Sequence, residues 1–260
     1  NPSSSAQKAK VFPSKNSAGK LVFNEKNLTV ANDFYKITFF SKSPYSEVEF
    51  VKSGRKMQFY LTNSIQYGTK RFTLLSPASK REVRKSPDGR TIELIFSEKF
   101  ASAGGTITSR IRYTFRNDRP VIGFSGKIEL EPASGNSRIG GSLNSWWFKP
   151  PEEGKTLHRY CSGPVPQQTG LLADRSGSIE APWKKKYKYF ALCDGQDAFG
   201  MITPSQENAS IYVGKKKNGY ITGSRIKMDG GIFRTEHYLY AGPESELPMW
   251  AETIYTSSQN

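Results

Sequence analysis

The chain of 260 residues carries 38 lysines and arginines against 23 aspartates and glutamates. That net charge of +15 favours polyanions, whether nucleic acid, anionic lipid headgroups or acidic polysaccharide. Hydrophobic residues make up only 36%, but the 13% of aromatics can build a core from few side chains, which argues against disorder of the body. No apolar run of about 18 residues exists to span a membrane, and two Cys with two His argue against a cysteine-rich zinc site or a His-rich metal centre.

Residues Asn1 to Lys20, rich in Ser, Lys and Ala, read as a flexible lead-in. A single domain is expected over 21–260, with order beginning near Leu21. LVFNEKNLTV and FYKITFF read as two strands; in the second, Tyr35, Ile37 and Phe39 alternate with Phe34, Lys36, Thr38 and Phe40. SEVEFVKSGRKMQFYL continues the pattern with Val48, Phe50, Phe59 and Leu61. In KREVRKSPDGRTIELIF, Pro87-Asp88-Gly89 supplies a preset φ followed by a residue that accepts positive φ, the signal of a hairpin. Ile92, Leu94 and Phe96 then face one way, Glu93 and Ile95 the other.

Gly104-Gly105 opens a further pair of strands that turns at Asn117-Asp118-Arg119-Pro120. Ile107, Ile111, Tyr113 and Phe115 share one face of it, and Arg110, Arg112 and Arg116 share the opposite one. Between Glu131 and Ser178 the period loosens, which predicts a functional loop region or an irregular connection. From Trp183 to Pro204, WKKKYKYFALCDGQDAFGMITP passes from alternating basic and aromatic residues into an apolar hairpin that reverses at Asp194-Gly195. ASIYVG, GYITGSRIKM and IFRTEHYLYAG read as further strands, and a short helix is expected near Pro248 to Tyr255, with Pro in its first turn. Many short strands with turn signals predict a sandwich or barrel.

The sequence contains no phosphate loop, dinucleotide fingerprint, HExxH or nucleophile elbow, and no cofactor is expected. What remains is an aromatic and basic constellation. Trp146, Trp147, His158, Arg159 and Tyr160 lie in the irregular region. Trp183, Lys184, Lys186, Tyr187, Lys188 and Tyr189 open the central hairpin. Arg234, Glu236, Tyr238 and Tyr240 share one face of a late strand, with His237 on the other. Aromatic rings stack on the apolar faces of sugars, and Lys and Arg pair with carboxylate or sulfate. A Tyr or His beside an Arg can also take the proton next to a uronate carboxylate while the Arg neutralises the developing charge, which is β-elimination.

Each feature has a plainer reading. Tyr and Trp in strands are more often packing residues than ligand platforms. A strand His such as His237 is more often a hydrogen-bonded core residue than a catalyst, Asp194 reads as a turn former, and Arg110, Arg112 and Arg116 read as a solvated sheet face. Nucleic acid fits the charge, but no RNA-binding strand signature or recognition helix accompanies it. The carboxylate pairs Glu152-Glu153 and Glu244/Glu246 sit in loops beside Pro or Gly and carry little weight as a glycosidase pair. Cys161 and Cys193 form either one disulfide or two thiols, the disulfide being favoured in an exported protein.

NLTVANDFYKITFF, TSRIRYTFRNDRPVIGFSGKIEL, YFALCDGQDAFGMITP and FRTEHYLYAGPE together resemble the segment order of the galactose-mutarotase-like β-supersandwich. This resemblance implies an all-β, antiparallel fold with one or two short helices. It implies one of two roles. The first is a secreted or periplasmic carbohydrate-active domain, which the charge steers towards an acidic polysaccharide and lyase-like or purely binding behaviour. The second is the non-enzymatic periplasmic domain of a YidC-type membrane-protein insertase, which YFALCDGQDAFGMITP and YLYAGPE resemble. For the first role the expected catalytic residues are His158 or Tyr189 as base and Arg159 or Arg234 as the neutralising cation. Trp146, Trp147, Lys186, Tyr187, Lys188 and Tyr238 are expected to bind substrate. No metal is expected.

Overall fold

The computed structural model describes residues 19–40, 45–67, 70–75, 80–102, 105–132, 139–149, 159–163, 168–171, 179–180, 189–202, 210–216, 219–225 and 232–257. The predicted lead-in, apart from Gly19 and Lys20, lies outside them.

Two antiparallel sheets account for the strands. The first contains β1 (Val22–Asn24), β2 (Thr29–Ala31), β3 (Tyr35–Phe39), β4 (Ser46–Phe50), β5 (Lys56–Tyr67), β6 (Lys70–Leu75), β11 (Ile139–Lys149), β14 (Ile179–Glu180), β17 (Ser210–Lys216) and β18 (Gly219–Arg225). Its order is β1-β2-β3-β4-β5-β11-β18-β17-β14, with β6 pairing the second half of β5. The second sheet contains β7 (Lys80–Lys85), β8 (Thr91–Ser102), β9 (Gly105–Arg116), β10 (Val121–Pro132), β12 (Arg159–Gly163), β13 (Gln168–Leu171), β15 (Tyr189–Cys193), β16 (Asp197–Ile202) and β19 (Ile232–Pro243). Its order is β13-β12-β15-β16-β19-β10-β9-β8-β7.

The inner faces meet in an aromatic core. Phe39 of the first sheet packs against Phe96 and Tyr113 of the second, with ring centroids 5.5 and 5.2 Å apart, and Phe59 packs on Phe199 at 5.1 Å. Tyr35, Phe50 and Phe115 are fully buried with them. Large rings let a chain of modest apolar content fill the space between two sheets. Alternation along β3, β4 and β9 puts these residues inside and the Lys, Glu and Arg between them outside.

The predicted turns at Gly89 and Gly195 have φ of 68° and 91°, the left-handed region that glycine enters without strain. Two predicted continuous segments are broken instead. LVFNEKNLTV turns between β1 and β2, where the Asn24 side chain accepts the Asn27 N–H at 3.2 Å and Leu28 itself takes φ 47°, an unusual conformation for a branched side chain. SEVEFVKSGRKMQFYL reverses between β4 and β5, with Gly54 at φ 69°. The irregular region holds a long strand after all: β11 slips register between Ser142 and Ser145, and a bulge of that kind erases the two-residue period by which a strand is read.

The helix α1 (Leu247–Ser257) follows a single 3-10 turn, Glu244–Glu246. Leu247, Trp250, Ala251 and Ile254 are buried, a spacing that places them on one stripe of the helix. The stripe covers Val121, Tyr189, Ala191, Cys193, Ala198, Ile202 and Tyr240, forming a second, smaller core on the outer face of the second sheet. Cys193, in that core, is disulfide-bonded, and Cys161 is the chain's only other cysteine. Among the described residues no helix is long and apolar enough to cross a membrane.

Candidate functional site

Among the described residues no element covers the outer face of β7 to β10 or the Arg234 end of β19, and strand register assembles the charges there into rows. Arg110 of β9 is opposite Lys127 of β10, which is opposite Arg234 of β19. On the other side Arg110 faces Ser97, which faces Lys80 on the edge strand β7. The next row along the strands reads Glu82, Ile95, Arg112, Ser125 and Glu236. The one after it reads Arg84, Glu93, Thr114, Gly123 and Tyr238.

Local ion pairs hold part of this surface. Arg84 binds Glu82 at 2.7 Å, Arg112 lies 3.7 Å from Glu93, and Lys127 is 2.5 Å from Glu129. Arg110 reaches Glu82 only at 3.9 Å, with half its side chain in solvent. Arg234 is exposed and makes no ion pair among the described residues. Exposed pairs of this sort add little stability and can be exchanged for a ligand's anions. Tyr238 is half-buried where the open face meets the helix, and burial, with Glu236 nearby, pushes its phenol up. At the same border the Arg119 guanidinium lies 6.0 Å from the Trp250 ring while Asp118 holds it at 2.8 and 3.0 Å.

The residues singled out in the sequence divide between the two sheets. Tyr189 and Tyr238 flank Ile202 from either side, two strands apart with β16 between them, and Arg234 lies four residues along β19 from Tyr238. Arg159 is opposite Cys193 on β12, in the same sheet. Trp146 and Trp147 belong to β11 of the first sheet, opposite Leu61 and Tyr60. For Arg159, Trp146 and Trp147 only the backbone is described. His158, Lys186, Tyr187 and Lys188 lie outside the described residues, as do Glu152 and Glu153.

Tyr189 is 4% exposed, beneath α1, and burial pushes its phenol up to about 12. That direction is opposite to what a base working near neutrality needs. His237 is buried on the inner face, stacked on Phe124 at 4.5 Å, and burial pushes its imidazole down to about 3. Glu244 accepts the Gly195 N–H at 2.7 Å, so it fastens the central hairpin. Asp194 accepts from Gln196 N–H at 2.8 Å and Asp197 N–H at 2.7 Å and pairs with Arg55. Asp197 is 2% exposed, and burial pushes its carboxyl up. Among the described residues no group of three or more His, Cys, Asp and Glu could hold a metal ion.

Sequence reasoning treated Arg110 and Arg112 as a solvated face and singled out no role for Lys127. The signal was present as cations at alternate positions of three strands. Only the register shows that Arg110, Lys127 and Arg234 stand side by side.

No protein-family profile and no curated protein matches the sequence. Solved structures do match the fold. An alpha-mannosidase from Enterococcus faecalis V583 superposes with a TM-score of 0.60 at 10% identity, over 92% of this chain and 32% of that one. This chain therefore spans about a third of the mannosidase. A galactose mutarotase related enzyme from Lactobacillus acidophilus superposes with a TM-score of 0.50 at 9% identity, over 82% of this chain and 96% of that one. At such identities the likeness concerns architecture alone. The chain has a galactose mutarotase-like fold, its described residues forming two antiparallel sheets, a 3-10 turn and one short α-helix.

Proposed function

We propose that this chain binds an acidic polysaccharide on the open outer face of its second sheet. The observation that carries this reading is the register of Arg110, Lys127 and Arg234, three cations on three adjacent strands. Guanidinium and ammonium groups bind carboxylates and sulfates, and Tyr238, four residues farther along β19, adds an aromatic ring at the border of the same face. Both structural neighbours described above are carbohydrate-active, which supports a glycan over other polyanions. The disulfide at Cys193 supports a periplasmic or extracellular setting, where such bonds persist.

The reading is one of binding first. β-Elimination needs a base and a cation at one carbon. Arg234 can serve as the cation, but burial disfavours Tyr189 as the base, and His158 is the remaining expected candidate. The test is a panel of uronate-containing glycans, scored for retention at rising salt and for ultraviolet absorbance of unsaturated products. Salt-sensitive retention supports the reading, and absorbance would add lyase activity. No retention of any glycan at low salt would remove it.

A second reading, the non-enzymatic periplasmic domain of a YidC-type insertase, is favoured by a different observation. Within the two stretches that carry that resemblance, Tyr189–Pro204 and Tyr238–Glu244, β16 and β19 pair with each other, and α1 seals their outer side chains into the second core. Here they serve packing, and the open face would contact protein partners. Gene sequence flanking these 260 residues tests it: a hydrophobic stretch of about 20 residues, followed by an insertase core, supports it. Continuous coding for a glycan-degrading enzyme counts against it.

A further inference from the structure

The basic row has a spacing as well as a sign. Neighbouring strands lie about 4.8 Å apart, close to the length of one sugar residue in an extended chain. Arg110, Lys127 and Arg234 occupy three successive positions at that spacing without a gap, whereas Ser97 separates them from Lys80. Carboxylates flank the row: Glu82 and Glu236 stand in the row on one side, and Glu129, opposite Thr108, in the row on the other. An extended polyanion thus meets unbroken positive charge when it crosses the strands. Running along β9 it would meet Arg110, Arg112 and then Thr114, with Arg112 and Arg116 each near a carboxylate, at 3.7 and 3.3 Å.

We propose that the Arg110–Lys127–Arg234 row reads charge spacing. It takes an extended polysaccharide with an anionic group on every sugar, lying across β9, β10 and β19, in preference to one with the group on alternate sugars. This rests on the reading of the open face as a glycan site. Lys127 is the discriminating residue, because Arg110 and Arg234 alone stand two strands apart and match a disaccharide repeat. Lys127 gives up its contact with Glu129 to serve the ligand.

The experiment compares polygalacturonate, one carboxylate per sugar, with hyaluronan, one on alternate sugars, at equal carboxylate concentration and fixed ionic strength. The wild type is expected to bind polygalacturonate about tenfold more tightly, a difference of the size one charge-assisted contact supplies. The double variant K127Q/E129Q removes one charge of each sign and leaves the net charge unchanged. It is expected to lose that preference, weakening polygalacturonate binding about tenfold while hyaluronan binding stays as it was; K56Q/E47Q, a pair on the first sheet, should change neither. Equal binding of both polymers by the wild type, or an unchanged preference in K127Q/E129Q, would overturn the spacing proposal while leaving the glycan site standing. Failure of the wild type to bind either polymer would remove the glycan reading itself.

Discussion

The side-chain amide of Asn32 in the first sheet donates to the main-chain carbonyl of Arg116 in the second, 2.8 Å away. The same nitrogen donates to the Arg119 carbonyl at 3.0 Å, and the side-chain oxygen accepts from the Phe34 and Tyr35 N–H groups at 2.9 and 3.1 Å. One buried side chain thereby completes the β2–β3 turn and ties it to the β9–β10 turn, between the strands that carry Arg110 and Lys127. Asn32→Ala should cost about 2–4 kcal/mol, because it leaves buried donors and acceptors without partners. Asn32→Asp keeps the acceptor but turns a carboxylate towards two carbonyl oxygens, and should be at least as damaging near neutral pH. Urea unfolding of both variants checks this; midpoints equal to wild type would show that the link contributes nothing.

A similar link joins Arg55, in the β4–β5 turn, to Asp194 in the central hairpin. The Asp194 side chain is fully buried and also accepts two hairpin N–H groups, so Asp194→Ala should cost about 2–3 kcal/mol. Asp194→Asn keeps a turn acceptor and should cost less. Thermal unfolding should rank them wild type, Asn, Ala, and the reverse order of the two variants would contradict the role in the turn.

Acid stability should carry the mark of His237. Burial holds its folded pKa at about 3, below the value of about 6.5 expected in the unfolded chain. The unfolded state therefore binds a proton that the folded state does not, between those two limits. The contribution is full above about pH 6.5 and is lost as pH falls towards 3, amounting to a few kcal/mol over the whole window. His237→Phe, beside the stacked Phe124, should flatten the fall in unfolding free energy between pH 6.5 and 4. An unaltered slope would assign that acid sensitivity to other groups.

Asp118 acts in a lower window. Burial alone would raise its pKa, but the hydrogen bond and charge of Arg119, and then of Arg116, outweigh it and hold the carboxyl at about 2. Its depressed pKa stabilises the folded state above the ordinary carboxylate range, and the contribution is lost as pH falls towards 2. Partial solvent access makes the effect modest. Asp118→Asn should reduce the stability difference between pH 5 and pH 2 without altering the slope assigned to His237. An unchanged difference would contradict it.

Much of the fold is legible in the sequence where local chemistry decides it. Pro87-Asp88-Gly89 and Asp194-Gly195 mark hairpins because glycine accepts the positive φ those turns need, and the alternation around Tyr113 sorts inside from outside. Leu28 is not legible, since a branched side chain rarely takes a left-handed φ. Nor is β11, whose bulge breaks the period around Trp146. The site was less legible than the fold. Arg234 was visible on one face of a late strand, but its alignment with Lys127 and Arg110 depends on register, which non-local pairing sets. The burial of Tyr189 depends on α1 folding back over a hairpin more than fifty residues earlier in the chain.

Calorimetric titration of polygalacturonate into the wild type and into R110E/K127E/R234E, at low and at physiological salt, tests the binding surface most directly. The wild type should bind, and more weakly as salt rises. The triple variant, shown by its unfolding midpoint to be folded, should lose binding by about a hundredfold or more, since three favourable contacts become repulsive. A folded triple variant that binds as the wild type does would contradict the assignment of the glycan site to the outer face of the second sheet.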